Sequence, residues 1–262
     1  MHRVAAGIEY DGALFRGWQS QESARTVQAE VERALSRVAG EAIHVVAAGR
    51  TDAGVHAAGQ VAHFDAAAVR TPRAWLLGAN TYLPRDVSLT WVSAVAGDFH
   101  ARYSAEARSY RYLILNRGAR SALAATRAAW IHQPLDHERM AVAVAPLLGE
   151  HDFSAFRSSD CQSRSPLRRI ERFVVTRAAD RIVLEVTANA FLHHMVRNLA
   201  GLLIAIGRGD LEPADVSSLL AGGDRTRLPA TAPPQGLYLA SVRYAARFGL
   251  PAPPIPASGD PL

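Results

Sequence analysis

Hydrophobic positions along the chain switch repeatedly between a strand-like and a helix-like spacing. Val4 to Tyr10 reads as a strand and breaks at Asp11-Gly12. Val27, Val31, Ala34, Leu35 and Val38 fall on one helical face, and Gly40 ends that run. Ala42 to Ala47 and Val61 to Phe64 read as strands on either side of a small-residue loop. Thr71-Pro72 opens a helix, with proline at its first position, that runs toward Tyr82 and stops before Pro84. Val87 to Ala96 closes the first half as a strand.

The second half repeats the rhythm. Arg108 to Leu115 reads as a strand with Tyr110, Tyr112 and Ile114 on one face. Asp136 caps a helix toward Leu148, which Pro146 ends or kinks. Ile170 to Thr176 and Arg181 to Thr187 form a hairpin pattern. The strongest helix follows, with Leu192, Met195, Val196, Leu199, Leu203 and Ile206 as its apolar stripe and Gly207 as its stop. Pro213 to Leu220 suggests a short helix, Leu237 to Tyr244 a closing strand, and the prolines after Phe248 a loose tail. Two strand-helix-strand-strand-helix-strand runs predict an α+β fold of two halves, each an antiparallel sheet with helices on one face. The boundaries expected are 1–105, 106–247 and a flexible proline-rich tail at 248–262. Two such sheets side by side would frame a cleft.

Composition narrows the class. The chain has 262 residues, 49% hydrophobic, enough for a packed core. Its formal charge is +5 and its pI about 9.9, which suits a polyanionic partner. All 29 basic side chains are arginine, a bias that weakens this inference. Cys161 is the only cysteine, so an intrachain disulfide and a multi-cysteine metal site are excluded. The start lacks the layout of a signal peptide, and the longest apolar stretch, Phe191 to Ile206, is interrupted by His193, His194, Arg197 and Asn198. Spanning a bilayer takes about 20 apolar residues. The expectation is a soluble cytoplasmic protein without membrane contact.

The segment Gly49-Arg50-Thr51-Asp52-Ala53-Gly54-Val55-His56 carries the most chemistry. It sets a carboxylate in a small-residue loop, backed by strands. A close cation favours the charged form of a carboxylate, so Arg50 is expected to keep Asp52 ionised and able to act as nucleophile or base. An Asp-Ala-Gly sequence also makes an ordinary turn, and the segment alone favours that reading.

The ordered set of motifs changes the balance. Tyr10-Asp11-Gly12 with Gly17-Trp18-Gln19, Thr26-Val27-Gln28, Gly49 to His56, and Leu83-Pro84-Arg85-Asp86 lie in the first half. Phe99-His100-Ala101-Arg102-Tyr103, Arg108 to Tyr112, Phe191 to Asn198, and Ala232-Pro233-Pro234 with Gly236-Leu237-Tyr238 follow. Together they make the chain resemble the tRNA pseudouridine synthase A family from about Tyr10 to Tyr244, with Ala13 where the family pattern has Thr. The resemblance implies ferredoxin-like (RRM-like) halves whose sheets flank a central active-site cleft. It implies a homodimer, with no metal and no organic cofactor, that isomerises uridine to pseudouridine at positions 38, 39 and 40 of the tRNA anticodon stem-loop. Asp52 matches the family's catalytic aspartate, Tyr110 the tyrosine against the target base, and Arg50 and Arg197 its basic active-site positions.

Arg157, Arg164, Arg168 and Arg169 lie among serines and are candidates for tRNA phosphate contacts, or simply a solvated loop. Two rival readings remain. A metal-dependent hydrolase could draw on His56, His63, His193 and His194, but the chain has no His-Glu-x-x-His helix and no cysteine ligand set. A non-catalytic tRNA binder would keep the fold without the chemistry.

Overall fold

The computed structural model describes residues 1–158, 161 and 163–252. The described residues form a mixed α+β structure with five α-helices and mostly antiparallel strands. The chain divides into two compact units, Met1–Glu106 with the stretch that begins at Tyr238, and Ala107–Leu237.

In the first unit β1 (His2–Tyr10) runs antiparallel between β3 (His56–Ala66) and β4 (Val87–Ala94). Val4 pairs with Phe64 on one side and with Ala94 on the other. Gly7 is required where Trp91 crosses β1, because a Cβ there would lie 2.1 Å from the indole nitrogen. The free edge of β3 is divided between two partners. The short β2 (Val46–Ala47) pairs antiparallel at His63 and Ala62, and β10 (Leu237–Tyr244) pairs parallel at His56 and Ala57.

Helices α1 (Val27–Ala39) and α2 (Pro72–Tyr82) complete this unit. Gly40 ends α1 in the left-handed region at φ 74°, as its position in the sequence predicts. Thr71 caps α2 by accepting the Ala74 N–H at 3.2 Å. Val27, Val31, Ala34 and Leu35 are fully covered, as are Trp18, Phe64 and Trp75. Removing a large apolar side chain from water contributes about 1.5–3 kcal/mol, so these residues are the unit's main source of stability.

The second unit carries β5 (Ala105–Asn116), β6 (Ala129–Ile131), β7 (Gly149–Asp152), β8 (Leu167–Ala178) and β9 (Arg181–Ala188). β9 lies antiparallel between β5 and β8, β7 adds to β8, and β6 runs parallel to β5. Helix α3 (His137–Val142) starts at Asp136, whose carboxylate accepts the N–H groups of Glu138 and Arg139. It stops six residues short of Leu148, and a 3-10 turn containing Pro146 takes over. The hydrogen-bonding gap left by proline is the reason. Helix α4 (Met195–Arg208) is buried well beyond its predicted stripe, because Ala200, Gly201, Leu202 and Ile204 are covered too. Helix α5 (Asp215–Gly222) follows. No helix among the described residues is long and apolar enough to cross a membrane.

Expectations differ from the structure at several points. Gly207 does not stop α4, which runs on to Arg208 and ends at Gly209, left-handed at φ 85°. Only Val46–Ala47 of the predicted Ala42 to Ala47 strand is paired, while β3 begins at His56, ahead of the predicted Val61. The final strand, expected within a 106–247 half, groups with the first unit from Tyr238 onward because it lies along β3. The tail expected from residue 248 begins with a buried side chain, Phe248, whose ring centroid is 5.1 Å from that of Phe99. Residues 253–262 of that expected tail lie outside the described residues.

Candidate active site

The loop from Gly49 to His56 joins β2 to β3, and the motifs that precede α1 fasten it. Tyr10 ends β1 and its hydroxyl lies 2.7 Å from the Thr51 hydroxyl, with both residues buried. The Trp18 N–H donates to the Thr51 carbonyl at 3.0 Å, and the Gly54 N–H donates to the Phe15 carbonyl at 3.3 Å. Gly17, at φ 92°, takes a conformation that L side chains rarely adopt, and a Cβ there would stand 2.7 Å from the Thr51 oxygen. Within the loop the Val55 N–H returns to the Asp52 carbonyl at 3.1 Å, with Gly54 at φ 78°. Gln60, fully buried, donates to the Gly49 carbonyl at 2.7 Å. Asp52 is half-buried on the turn so formed.

The flanking motifs brace the same region. Arg25 makes two 2.8 Å bonds to the Asp86 carboxylate, and its guanidinium lies 4.1 Å from the Phe15 ring centroid. The Asp11 N–H donates to the Asp86 carbonyl at 3.0 Å. His56 Nδ1 accepts the Gly12 N–H at 3.0 Å, and its ring stacks on Tyr238 at 4.6 Å. Asp11 Oδ1 lies 3.1 Å from that same nitrogen, but it accepts the Ala13 N–H at 3.0 Å. The Tyr-Asp-Gly, Gly-Trp-Gln and Leu-Pro-Arg-Asp segments thus build the support under the Asp52 loop.

Arg50 departs from expectation. It is exposed, and it forms neither an ion pair nor a hydrogen bond with Asp52 among the described contacts. Thr51 between them is bonded to Tyr10.

The other matched residues belong to the second unit. Tyr110, on β5, is buried and meets Phe191 edge-on at 5.0 Å between ring centroids. Arg197, on α4, is half-buried and its Nε donates to the Ala232 carbonyl at 2.9 Å. The Ala232 N–H answers with a 3.1 Å bond to the Arg197 carbonyl. Gly201, one turn on, allows this strap to lie against the helix, since a Cβ would be 2.2 Å from the Ala230 oxygen. The Tyr112 hydroxyl donates to the Pro233 carbonyl at 2.8 Å. Burial pushes the Tyr112 phenol well above its usual pKa, opposed in part by the nearby Arg197 charge, which keeps it a proton donor.

Asn198 is the polar residue that sequence reasoning passed over. It is buried, donates to the Phe156 carbonyl at 2.7 Å, and accepts from Arg225 and Thr231 at 3.2 and 2.7 Å. Its place beside Arg197, inside an otherwise apolar helix, was the available signal.

The arginine loop divides. Arg164 and Arg169 are exposed and Arg157 is half-buried. Arg168 turns inward instead. It donates to the Ser165 carbonyl at 3.0 Å and to the Ser163 hydroxyl at 2.7 Å, and burial lowers its pKa. Its guanidinium braces the loop, so the structure does not support the phosphate contact expected of it.

A model of the tRNA pseudouridine synthase family matches residues 6–104 and 143–245. The sequence is 58% identical over 248 residues to the tRNA pseudouridine synthase A of Methylococcus capsulatus, covering 95% of this chain and 92% of that protein. It is 51% identical over 255 residues to the tRNA pseudouridine synthase A of Coxiella burnetii, covering 97% and 98%. Over 249 residues it is 53% identical to the protein of that name from Nitrosococcus oceani, covering 95% and 96%.

Proposed function

Because the chain belongs to the tRNA pseudouridine synthase family, we propose that it is an isomerase that converts uridine to pseudouridine in tRNA. The proposal extends to the finer reading, with positions 38, 39 and 40 of the anticodon stem-loop as targets and Asp52 as the reacting carboxylate. The observation that carries it is the Asp52 loop itself. A half-buried carboxylate stands on a turn fixed by the Tyr10–Thr51 bond and by the close approach of Gly17. A carboxylate so held can meet one sugar atom without a reorganisation cost.

The reaction breaks the bond from ribose C1′ to uracil N1 and makes one from C1′ to C5. N1 gains a proton and C5 loses one. Two routes start from an ionised Asp52. It attacks C1′ as the base leaves, or it removes the 2′ proton to give a glycal. In either route the uracil must leave its stack, turn and be reattached before it escapes. Unstacking costs on the order of a few kcal/mol. Tyr110 is the residue proposed to face the turned base, and contact with an aromatic ring offsets about 1–3 kcal/mol of that cost. Arg197, its Nε already committed to Ala232, supplies a fixed positive charge for the anion that develops on the base. Exposed Arg50 is assigned to a phosphate beside the target, because it is not spent on Asp52.

In the first unit, the chain order β1-α1-β2-β3-α2-β4 with the sheet order β4-β1-β3-β2 supports a ferredoxin-like half. The family resemblance further supports a cytoplasmic homodimer that uses no metal or organic cofactor.

Tritium release from tRNA transcripts labelled at uracil C5, with a chelator present, tests the proposal. Wild type should release label and Asp52→Asn should lose turnover by a factor on the order of 10⁴ while still binding tRNA. Transcripts with a single uridine among the three positions assign the targets. Binding without release by the wild type would make the protein a tRNA binder and overturn the isomerase reading.

A further inference from the structure

The turn from Gly97 to Ser104 presents an aromatic ring that neither the core nor the proposed chemistry uses. Its base is rigid. Phe99 is fully buried against Tyr244 and Phe248, each 5.1 Å away between ring centroids. Ala101 is fully buried, its N–H donates to His63 Nδ1 at 3.1 Å, and its carbonyl accepts the Tyr244 hydroxyl at 2.7 Å. Arg3 donates to the Gly97 and Phe99 carbonyls at 2.8 and 2.9 Å.

The rim of the turn is equally ordered. The Ser104 N–H closes on the His100 carbonyl at 2.8 Å, and the Ser104 hydroxyl accepts the His100 N–H at 3.0 Å. His100 Nδ1 accepts the N–H groups of both Arg102 and Tyr103 at 3.2 Å. That nitrogen can accept only without a proton, so the ring is neutral in this geometry. Burial and the charges of Arg3 and Arg102 also lower the His100 pKa. The Tyr103 ring lies on His100, with centroids 4.3 Å apart and planes 31° apart, and the Arg102 guanidinium is 5.5 Å from its centroid.

Tyr103 is nevertheless 77% exposed, so it adds little to stability. A 77% exposed ring, backed by the tilted His100 ring and with the Arg102 guanidinium over it, offers an aromatic surface and a cation together, which suits an unstacked base and its phosphate. Bases stack on aromatic side chains with little sequence preference, and an adjacent arginine meets the phosphate. The formal charge of +5 on the chain favours a polyanion over another copy of the chain as the partner of this ring.

We propose that Tyr103, supported by His100 and flanked by Arg102, is a docking platform for an unpaired nucleobase of the RNA substrate, outside the Asp52 loop. The inference rests on the reading of tRNA as substrate. The platform fixes where the tRNA sits before the target uridine is extracted.

Equilibrium binding of a tRNA transcript to Asp52→Asn protein, which holds substrate without turnover, tests it. Added Tyr103→Ala should weaken binding roughly 5- to 150-fold, and Tyr103→Phe should stay within about twofold. Added Arg102→Ala should weaken binding and reduce its salt dependence by about one phosphate contact. A fully paired RNA duplex, which offers no open base, should bind the Tyr103→Ala protein as well as its parent. Unchanged tRNA affinity in a folded Tyr103→Ala protein overturns the platform and leaves the enzyme assignment intact. A change in oligomeric state that accounts for the lost affinity also overturns it, and makes the ring a contact between copies of the chain. Failure of the parent to bind any tRNA would remove the functional reading and the platform with it.

Discussion

The Tyr10 hydroxyl and the Thr51 hydroxyl lie 2.7 Å apart, buried, and join the end of a central strand to the residue before Asp52. Either oxygen can donate the proton. A buried hydroxyl left without its partner costs about 1–3 kcal/mol. Tyr10→Phe and Thr51→Val should each lower stability by about that much in urea unfolding. Both should also reduce kcat more than they raise KM, since they loosen Asp52, the carboxylate proposed to react, and not the bulk of the RNA contact. The double variant should cost less stability than the sum, while kcat stays low.

Gly17→Ala meets both of that position's constraints at once. The new methyl group would need a left-handed backbone at φ 92° and would stand 2.7 Å from the Thr51 carbonyl oxygen. The expected outcome is a protein destabilised by about 1–3 kcal/mol, with tritium release reduced at least tenfold. Alanine at Gly40, also left-handed but with open space around it, should reduce stability and leave the rate unchanged.

His63 predicts acid sensitivity. It is buried, its Nδ1 accepts a backbone N–H, and burial, followed by the charges of His100 and Arg3, lowers its pKa from 6.5 to about 4, with Asp65 opposing. A histidine held neutral in the folded state stabilises it fully above its unfolded pKa. That contribution, on the order of 3 kcal/mol, is lost as the pH falls from about 6.5 toward 4. Urea midpoints measured from pH 7 to pH 4 should fall in wild type. They should fall much less in His63→Asn, whose amide oxygen can accept from Ala101 without titrating.

The inward turn of Arg168 separates it from its neighbours in RNA binding. Arg164→Ala and Arg169→Ala should each lower the salt dependence of tRNA binding by about one contact. Arg168→Ala should leave that slope unchanged and instead make the loop more open to limited proteolysis, since the Ser163 and Ser165 bonds are lost.

Local chemistry made much of the fold readable before any coordinates. Thr71-Pro72 and Asp136 mark helix starts, and Gly40 a helix end, because capping bonds and left-handed stops depend on neighbours within one turn. The span Leu237 to Tyr244 was legible from its apolar run. Its grouping with the first unit was not, because pairing with His56 and Ala57 is a long-range event with no local signature. For the same reason, Val46–Ala47 is the only paired part of its predicted strand. Asp52, Tyr110 and Arg197 could be named as candidates from motifs. The sequence did not reveal that Arg50 is exposed, that Arg168 is bonded within its own loop, or that Asn198 joins Phe156, Arg225 and Thr231. Each depends on side-chain direction, which spacing along a chain does not determine.

The division of β3 between two partners has a consequence for biosynthesis. Its backbone at His56 and Ala57 is paired by Tyr238 and Leu239, which are synthesised 182 residues later. Until then, the strand that follows the Asp52 loop presents an uncovered edge, open to pairing with other chains. Premature termination just before Tyr238 would therefore yield more than a shortened protein. It would leave the Asp52 loop attached to an adhesive strand, so translation must pass Leu239 before that edge is covered.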